Sequence, residues 1–175
     1  MALFVAGDRV FHPFFGAGTI SSVEAKKIGE KRRRYYVIDM MMDAMQIMVP
    51  VDRAGTIGLR NVGNGEQLAE ALYALDDIPK IKEAKGTARR TRQTEMREQL
   101  KSGSFAKIRD TVRELYLMQN QRPLGMMDRE LFEQGKRFLA GELALALQLE
   151  KEEALEEVEK SLSRMLEKQE QQIES

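Results

Sequence analysis

Between residues 4 and 60 apolar and polar positions change over in short runs, and beyond residue 60 the spacing lengthens to that of helices. The early runs fall at 9–12, 18–23, 34–40 and 45–51 and carry β-branched or aromatic residues such as Val10, Ile20, Tyr35, Tyr36 and Ile47. Gly7-Asp8, Pro13, Gly16, Gly29-Glu30 and Asp43 punctuate them. Four or five short strands at such close spacing predict a small, strongly bent antiparallel barrel. Gly16-Ala17-Gly18 provides the backbone freedom that a tight corner demands.

The second half predicts an all-helical domain, so the expected fold class is α+β. Leu68, Ala71, Leu72 and Leu75 fall at helical spacing over 65–75, ahead of Pro79. A second helix is expected over about 88–100. Ser102-Gly103-Ser104 then gives a stop and a fresh N-cap for a third over 105–120, with Ile108, Val112, Leu115 and Tyr116 on one face. Pro123 and Gly125 break it. One long final helix is expected from Asp128, read as its N-cap. Up to Glu150 that helix is apolar (Phe138, Leu139, Leu143, Leu147); from 150 to 175 it holds nine acidic and four basic residues. Leu155, Val158, Leu162 and Met165 make a short 3-4-3 seam there. Either this tail lies on its own domain or frays in solvent, or it self-associates. The expected boundaries are 1–62 for the β-module, 63–150 for the helical module and 151–175 for an acidic amphipathic tail.

Composition adjusts this picture in one respect. Lys+Arg and Asp+Glu both number 28, so bulk positive charge cannot argue for nucleic-acid binding. Local distribution can. Residues 80–92 hold Lys80, Lys82, Lys85, Arg89, Arg90 and Arg92 against Glu83 alone, enough to neutralise several phosphates or, equally, to form a solvated helix face. Lys26-Lys27 and Lys31-Arg32-Arg33-Arg34 straddle Gly29-Glu30 at a hairpin tip, where charge serves solubility as readily as contact. Arg129, Lys136 and Arg137 form a sparser third set.

Catalytic chemistry has little to work with. There is no cysteine, His12 is the single histidine, and no phosphate loop, H-E-x-x-H or G-x-S-x-G occurs. An enzyme, a metal centre or a bound cofactor is not expected. No apolar run approaches the ~20 residues of a membrane span, and the start of the chain lacks a secretory pattern; a cytoplasmic protein is expected. Met40, Met41, Met42, Met45 and Met48 cluster about one hairpin and divide between core and adaptable surface. Met48 and Pro50 share a strand face, and Pro50 at a strand end marks an edge onto which a partner could add a strand. Phe11, Phe14, Phe15, Tyr35 and Tyr36 could line an aromatic cage, but most are better explained as barrel core.

Several of these residues also fall into an ordered pattern. Phe4…Gly7-Asp8-x-Val10, Pro13-x-x-Gly16-x-Gly18-x-Ile20, Tyr35-Tyr36-Val37-Ile38, Met45-x-Ile47-Met48-Val49-Pro50-Val51 and Ile57-Gly58-Leu59-Arg60 resemble the CarD/CdnL family of bacterial RNA-polymerase-binding transcription regulators. Leu100-x-Ser102-Gly103, Arg113-x-Leu115 and Leu139-x-Gly141-Glu142-Leu143-Ala144 resemble its C-terminal half, so the likeness spans roughly residues 3–148. The resemblance implies a Tudor/SH3-like barrel, similar to the polymerase-interacting domain of the transcription-repair coupling factor, docked on the polymerase β subunit by edge-strand contacts. Met48 and Pro50, with Lys26 as a polar contributor, occupy the matching positions. It further implies that the helical module contacts promoter DNA near the upstream edge of the melted bubble and stabilises the open complex, with Arg89, Arg90, Arg129 and Lys136 at the matching basic positions. Association with the nucleoid would follow from polymerase binding. One departure stands out. Family members commonly carry a tryptophan before the paired arginines, as a minor-groove wedge; here Gly86-Thr87-Ala88 offers no aromatic residue. That departure leaves room for a polymerase-bound adaptor without DNA contact.

Overall fold

The computed structural model describes residues 3–76, 78–81 and 84–174. Among these, five strands form one antiparallel sheet: β1 (Arg9–His12), β2 (Gly16–Ile28), β3 (Lys31–Met40), β4 (Gln46–Pro50) and β5 (Arg60–Asn61). Their order is β4-β3-β2-β1-β5. The register of β2 on β3 shifts between Ile20 and Ser22, a bulge at Ser21 that bends the sheet. Val10, Ile20, Tyr36, Ile38 and Val49 fill the concave side. Phe4 folds across them: its ring meets Tyr36 edge-on at 5.6 Å and its N–H donates to the Tyr36 hydroxyl at 3.1 Å. A 3₁₀ turn at Val51–Arg53 runs into the short helix α1 (Ala54–Ile57), which closes the end of this core with Ala54 and Leu59.

The expected small, bent antiparallel sheet is therefore present, with two longer strands. Residues 24–28 and 31–33 are charged apart from Ala25 and Ile28 and show no alternation of buried and exposed positions, yet the ladder continues through them to Ile28↔Lys31. A two-residue turn, Gly29-Glu30, joins the strands, and φ 69 at Gly29 suits the glycine-first tight hairpin.

Five longer helices follow: α2 (Gly65–Tyr73), α3 (Thr87–Lys101), α4 (Phe105–Gln121), α5 (Met126–Leu147) and α6 (Lys151–Glu174). Asn64 caps α2 by accepting from the Gln67 N–H at 3.1 Å, and Ser104 caps α4 by accepting from the Lys107 N–H at 3.3 Å. Two expectations change. The cap of α5 is Gly125, not Asp128, which lies in the first turn and is buried. The single long final helix is broken at Gln148, whose φ of 56 turns the chain while the Leu149 N–H donates to Ala144. Helix α6 then folds back on α5, α2 and α4. Of the expected seam Val158, Leu162 and Met165 are buried there, together with Ala154, while Leu155 is half-buried, so the apolar side of the acidic tail packs on its own domain. Tyr73 pins α2 to α6 through its hydroxyl on the Glu157 carboxylate; burial, then that hydrogen bond, push its phenol up to about 12. Arg113, wholly buried, donates to the Leu72 and Ala74 carbonyls at the end of α2.

What unites the two halves is a contact between the sheet's convex side and α5. Phe11 meets Phe138 edge-on at 5.4 Å. Gly141 lets the helix approach Ala17 and Met42: a Cβ there would stand 3.1 Å from Met42. At the centre, Glu142 is 1% exposed and accepts both Arg60 Nη groups at 2.7 Å and the Gly63 N–H at 2.8 Å. Arg60 also donates to the Gly103 carbonyl at 2.7 Å and stacks on Phe11 at 4.6 Å. Such a forked pair is strong because both partners are charged and both carboxylate oxygens are used. Replacing Arg60 by Met strands a buried carboxylate, and urea unfolding is expected to record a loss of about 3 kcal/mol. Adding Glu142→Leu to that variant should restore most of it.

Candidate functional site

The strand β4 is an edge: it pairs with β3 on one side, and among the described residues no strand borders the other. Its alternation follows directly from burial. Val49 points into the concave core while Met48, 39% exposed, and Pro50, half-buried, face the other way. Lys26 reaches this face from β2, with its Nζ 3.5 Å from the Met48 sulfur. The three residues expected to dock a partner therefore share one surface, with Arg33 and Asp52 (3.2 Å apart) at its rim. Of the methionine cluster, Met40 is in the β core, Met41 and Met42 pack under the helices, and Met45 and Met48 are exposed.

The second expected surface lies where α3 and α5 begin. Arg92 Nη2 and Gln93 Nε2 donate to the Asp128 carboxylate at 2.8 and 3.1 Å, fastening the two helix starts together. This is why Asp128 is buried and why Arg92 is not a free cation. Below it Glu114 is held above the usual carboxylate range, by burial first and against the pull of Arg92. Arg89, one turn before Arg92, and Arg129, next to Asp128, then flank this pair; Arg89 and Arg90 are exposed, and Arg129 donates to the Leu124 carbonyl at 3.3 Å. Lys80 and Lys85 are exposed on the segment leading into α3, and Lys82 lies outside the described residues. A cleft of about 440 Å³ opens between these elements, lined by Arg89, Arg122, Pro123, Met126 and Met127 among others.

Lys136 is placed differently from the arginines. Its ammonium lies 3.1 Å from both Glu133 and Glu159 and 4.4 Å over the Phe132 ring, with the side chain only 13% exposed. Burial works against its charge, but the two carboxylates outweigh it and raise its pKa. The fold has engaged this cation in holding α6 to α5.

The aromatic residues also separate. Phe11 and Tyr36 are buried in the two cores and Tyr35 is buried on the side of Pro50, whereas Phe14 and Phe15 are exposed at the β1–β2 turn, each with its ring near that of His12. His12 itself is buried, accepts the Phe14 N–H on Nδ1 at 3.0 Å and has a pKa lowered by burial, so it acts as a neutral turn brace. Sequence reasoning missed the exposed pair Met126-Met127; the only signal is its place just past Pro123 and Gly125. No helix among the described residues is long and apolar enough to cross a membrane.

Residues 4–63 match the family model described as CarD-like/TRCF RID domain, and residues 73–159 match the one described as CarD, C-terminal domain. The chain belongs to the CarD family. A relative from Bacillus subtilis (strain 168), named "Putative transcription factor YdeB", is 26% identical over 145 residues, covering 81% of this chain and 90% of the relative. The CarD family is one of transcription factors, and the module matched by residues 4–63 is of the RNA-polymerase-interacting type.

The geometry separates the basic residues of this CarD-family chain by their work. Replacing Lys136 by Gln is expected to lower stability by about 1 kcal/mol, the scale of one ion-pair cluster with a ring contact, as read by thermal unfolding. Duplex-DNA affinity should stay within about twofold of the parent, because that charge is already matched inside the fold.

Proposed function

We propose that the protein is a non-catalytic bacterial transcription regulator. It docks the free border of β4 on the RNA polymerase β subunit and holds promoter DNA with the starts of α3 and α5. The open complex is thereby stabilised at the upstream edge of the bubble. One observation carries the reading: in a sheet of the polymerase-interacting type, β4 keeps an unpaired border with Met48, Pro50 and Lys26 on one exposed face. Unpaired backbone groups beside an apolar face are what an added strand needs. Exposed Arg89 and Arg90 suit phosphate contact, which positions without reading sequence. Polymerase binding would place the protein in the cytoplasm, at the nucleoid. The units in this reading are a docking module of residues 1–62 and a DNA-contacting module of residues 63–150, with α6 bracing the latter.

A second reading, a polymerase-bound adaptor without DNA contact, is favoured by the absence of tryptophan and by balanced charge. The two are separated by variants of the full chain. Met48→Asp puts a charge on the proposed docking face and should weaken capture of the isolated β subunit by at least about tenfold, or ~1.4 kcal/mol. Unaltered capture would remove β4 from the proposal. Arg89→Glu with Arg90→Glu should shorten the lifetime of promoter complexes while polymerase affinity is kept; an unchanged lifetime would favour the adaptor.

A further inference from the structure

Beyond residue 24 the β2–β3 hairpin leaves the rest of the sheet. The β1 ladder ends at Arg9↔Thr19 and the β4 ladder at Tyr35↔Pro50, so residues 25–34 form a two-stranded ribbon with both borders free. This ribbon holds six cations against Glu30 alone. Their register places like beside like: Lys26 opposite Arg33 and Lys27 opposite Arg32. Directly opposed like charges destabilise a ladder, and a ribbon with no sheet on either side has little else to hold it. A solubilising tip could have mixed its signs, as the chain as a whole does.

Register also fixes which way each cation faces. Lys26, Lys31 and Arg33 continue the side of Met48, whereas Lys27, Arg32 and Arg34 continue the side of Tyr36 and Ile38. Arg33 has Asp52, and Lys26 touches Met48. Among the described residues, Lys27, Lys31, Arg32 and Arg34 have no ion-pair partner. A flat acidic protein surface would use one face of such a ribbon and leave the other idle. The major groove of duplex DNA is different: it is about 12 Å wide, admits a two-stranded ribbon, and is walled by phosphate on both sides. Ile28, 65% exposed near the tip, adds an apolar contact of the kind a thymine methyl accepts.

We propose that residues 25–34 are a second DNA-contacting element, a basic β-ribbon arm that enters the major groove and matches both phosphate walls. This goes beyond the function above, in which DNA is met only by the helical module and the β-module meets protein. The arm contributes positioning and affinity.

The test uses the full chain and a fluorescent mixed-sequence DNA duplex, titrated across a salt series without polymerase. Lys27→Glu with Arg32→Glu removes two cations from the side that faces away from Met48. The slope of log affinity against log salt should fall by about two, and affinity near 0.1 M salt by at least about tenfold, the loss of two phosphate contacts. Lys27→Gln with Arg32→Gln should act in the same direction with an unchanged or raised thermal midpoint, which excludes misfolding as the cause. In an Arg89→Glu/Arg90→Glu background the arm's contribution should persist, so its success does not depend on the helical surface. Unchanged DNA affinity and slope overturn the proposal. So does a loss of β-subunit capture with DNA binding intact, which would assign the arm to an acidic protein surface.

Discussion

The fork between Arg60 and Glu142 is the constraint on which the remaining architecture depends. Arg60 lies on the last strand of the sheet, Glu142 towards the C-terminal end of α5, and the Gly63 N–H joins them from the connecting segment. A carboxylate at 1% exposure cannot be left alone in a protein interior without a cost of several kcal/mol. Tilting the two modules apart would break all three of its hydrogen bonds together. Phe11 against Phe138 and Met42 against Gly141 add apolar contact between the sheet and the same helix, and the Glu142 carboxylate is closed to water while part of the Arg60 side chain is not. The short peptide between β5 and α2 is therefore a joint that has been fixed.

Sequence patterning made much of this legible, for reasons that can be named. Strand β4 has one buried face, and its alternation shows in the order of residues. Ser104 announces its helix because a side-chain oxygen at that position has a specific task, and Asn64 does the same work without having been singled out. The edge position of β4 could be read from Pro50. Less could be read where the deciding interaction is distant in sequence. Asp128 has the profile of a helix cap, but Arg92 and Gln93 draw it inward from another helix. Lys136 looks like any basic residue on a helix until Glu159, on a helix that doubles back, arrives beside it. That return itself depends on Gln148 in a left-handed conformation, which composition does not signal as a glycine would. The far end of the β2–β3 hairpin was hidden for the opposite reason: it buries nothing, so no hydrophobic period marks it as strand.

Zero net charge conceals a division of labour among the cations. Arg60 and Arg92 are structural, each matched to a buried carboxylate, and Arg113 is spent on backbone carbonyls. The exposed arginines at the start of α3 and those of the hairpin are matched by nothing comparable. Acidic residues are concentrated on α6, whose apolar side is held against α5 and α2. Segregation of this kind gives a neutral molecule a strongly uneven field, and at short range the local sign governs which surface an anion meets.

An open sheet border invites its own kind, since two such edges could zip together. Here the open strand is five residues long and ends in a proline that has no N–H to give. The ammonium of Lys26 stands beside Met48 on that face. Two copies approaching edge to edge would bring cation towards cation and gain few backbone bonds. One lysine and one proline thus make this border a poor seat for a second copy of itself.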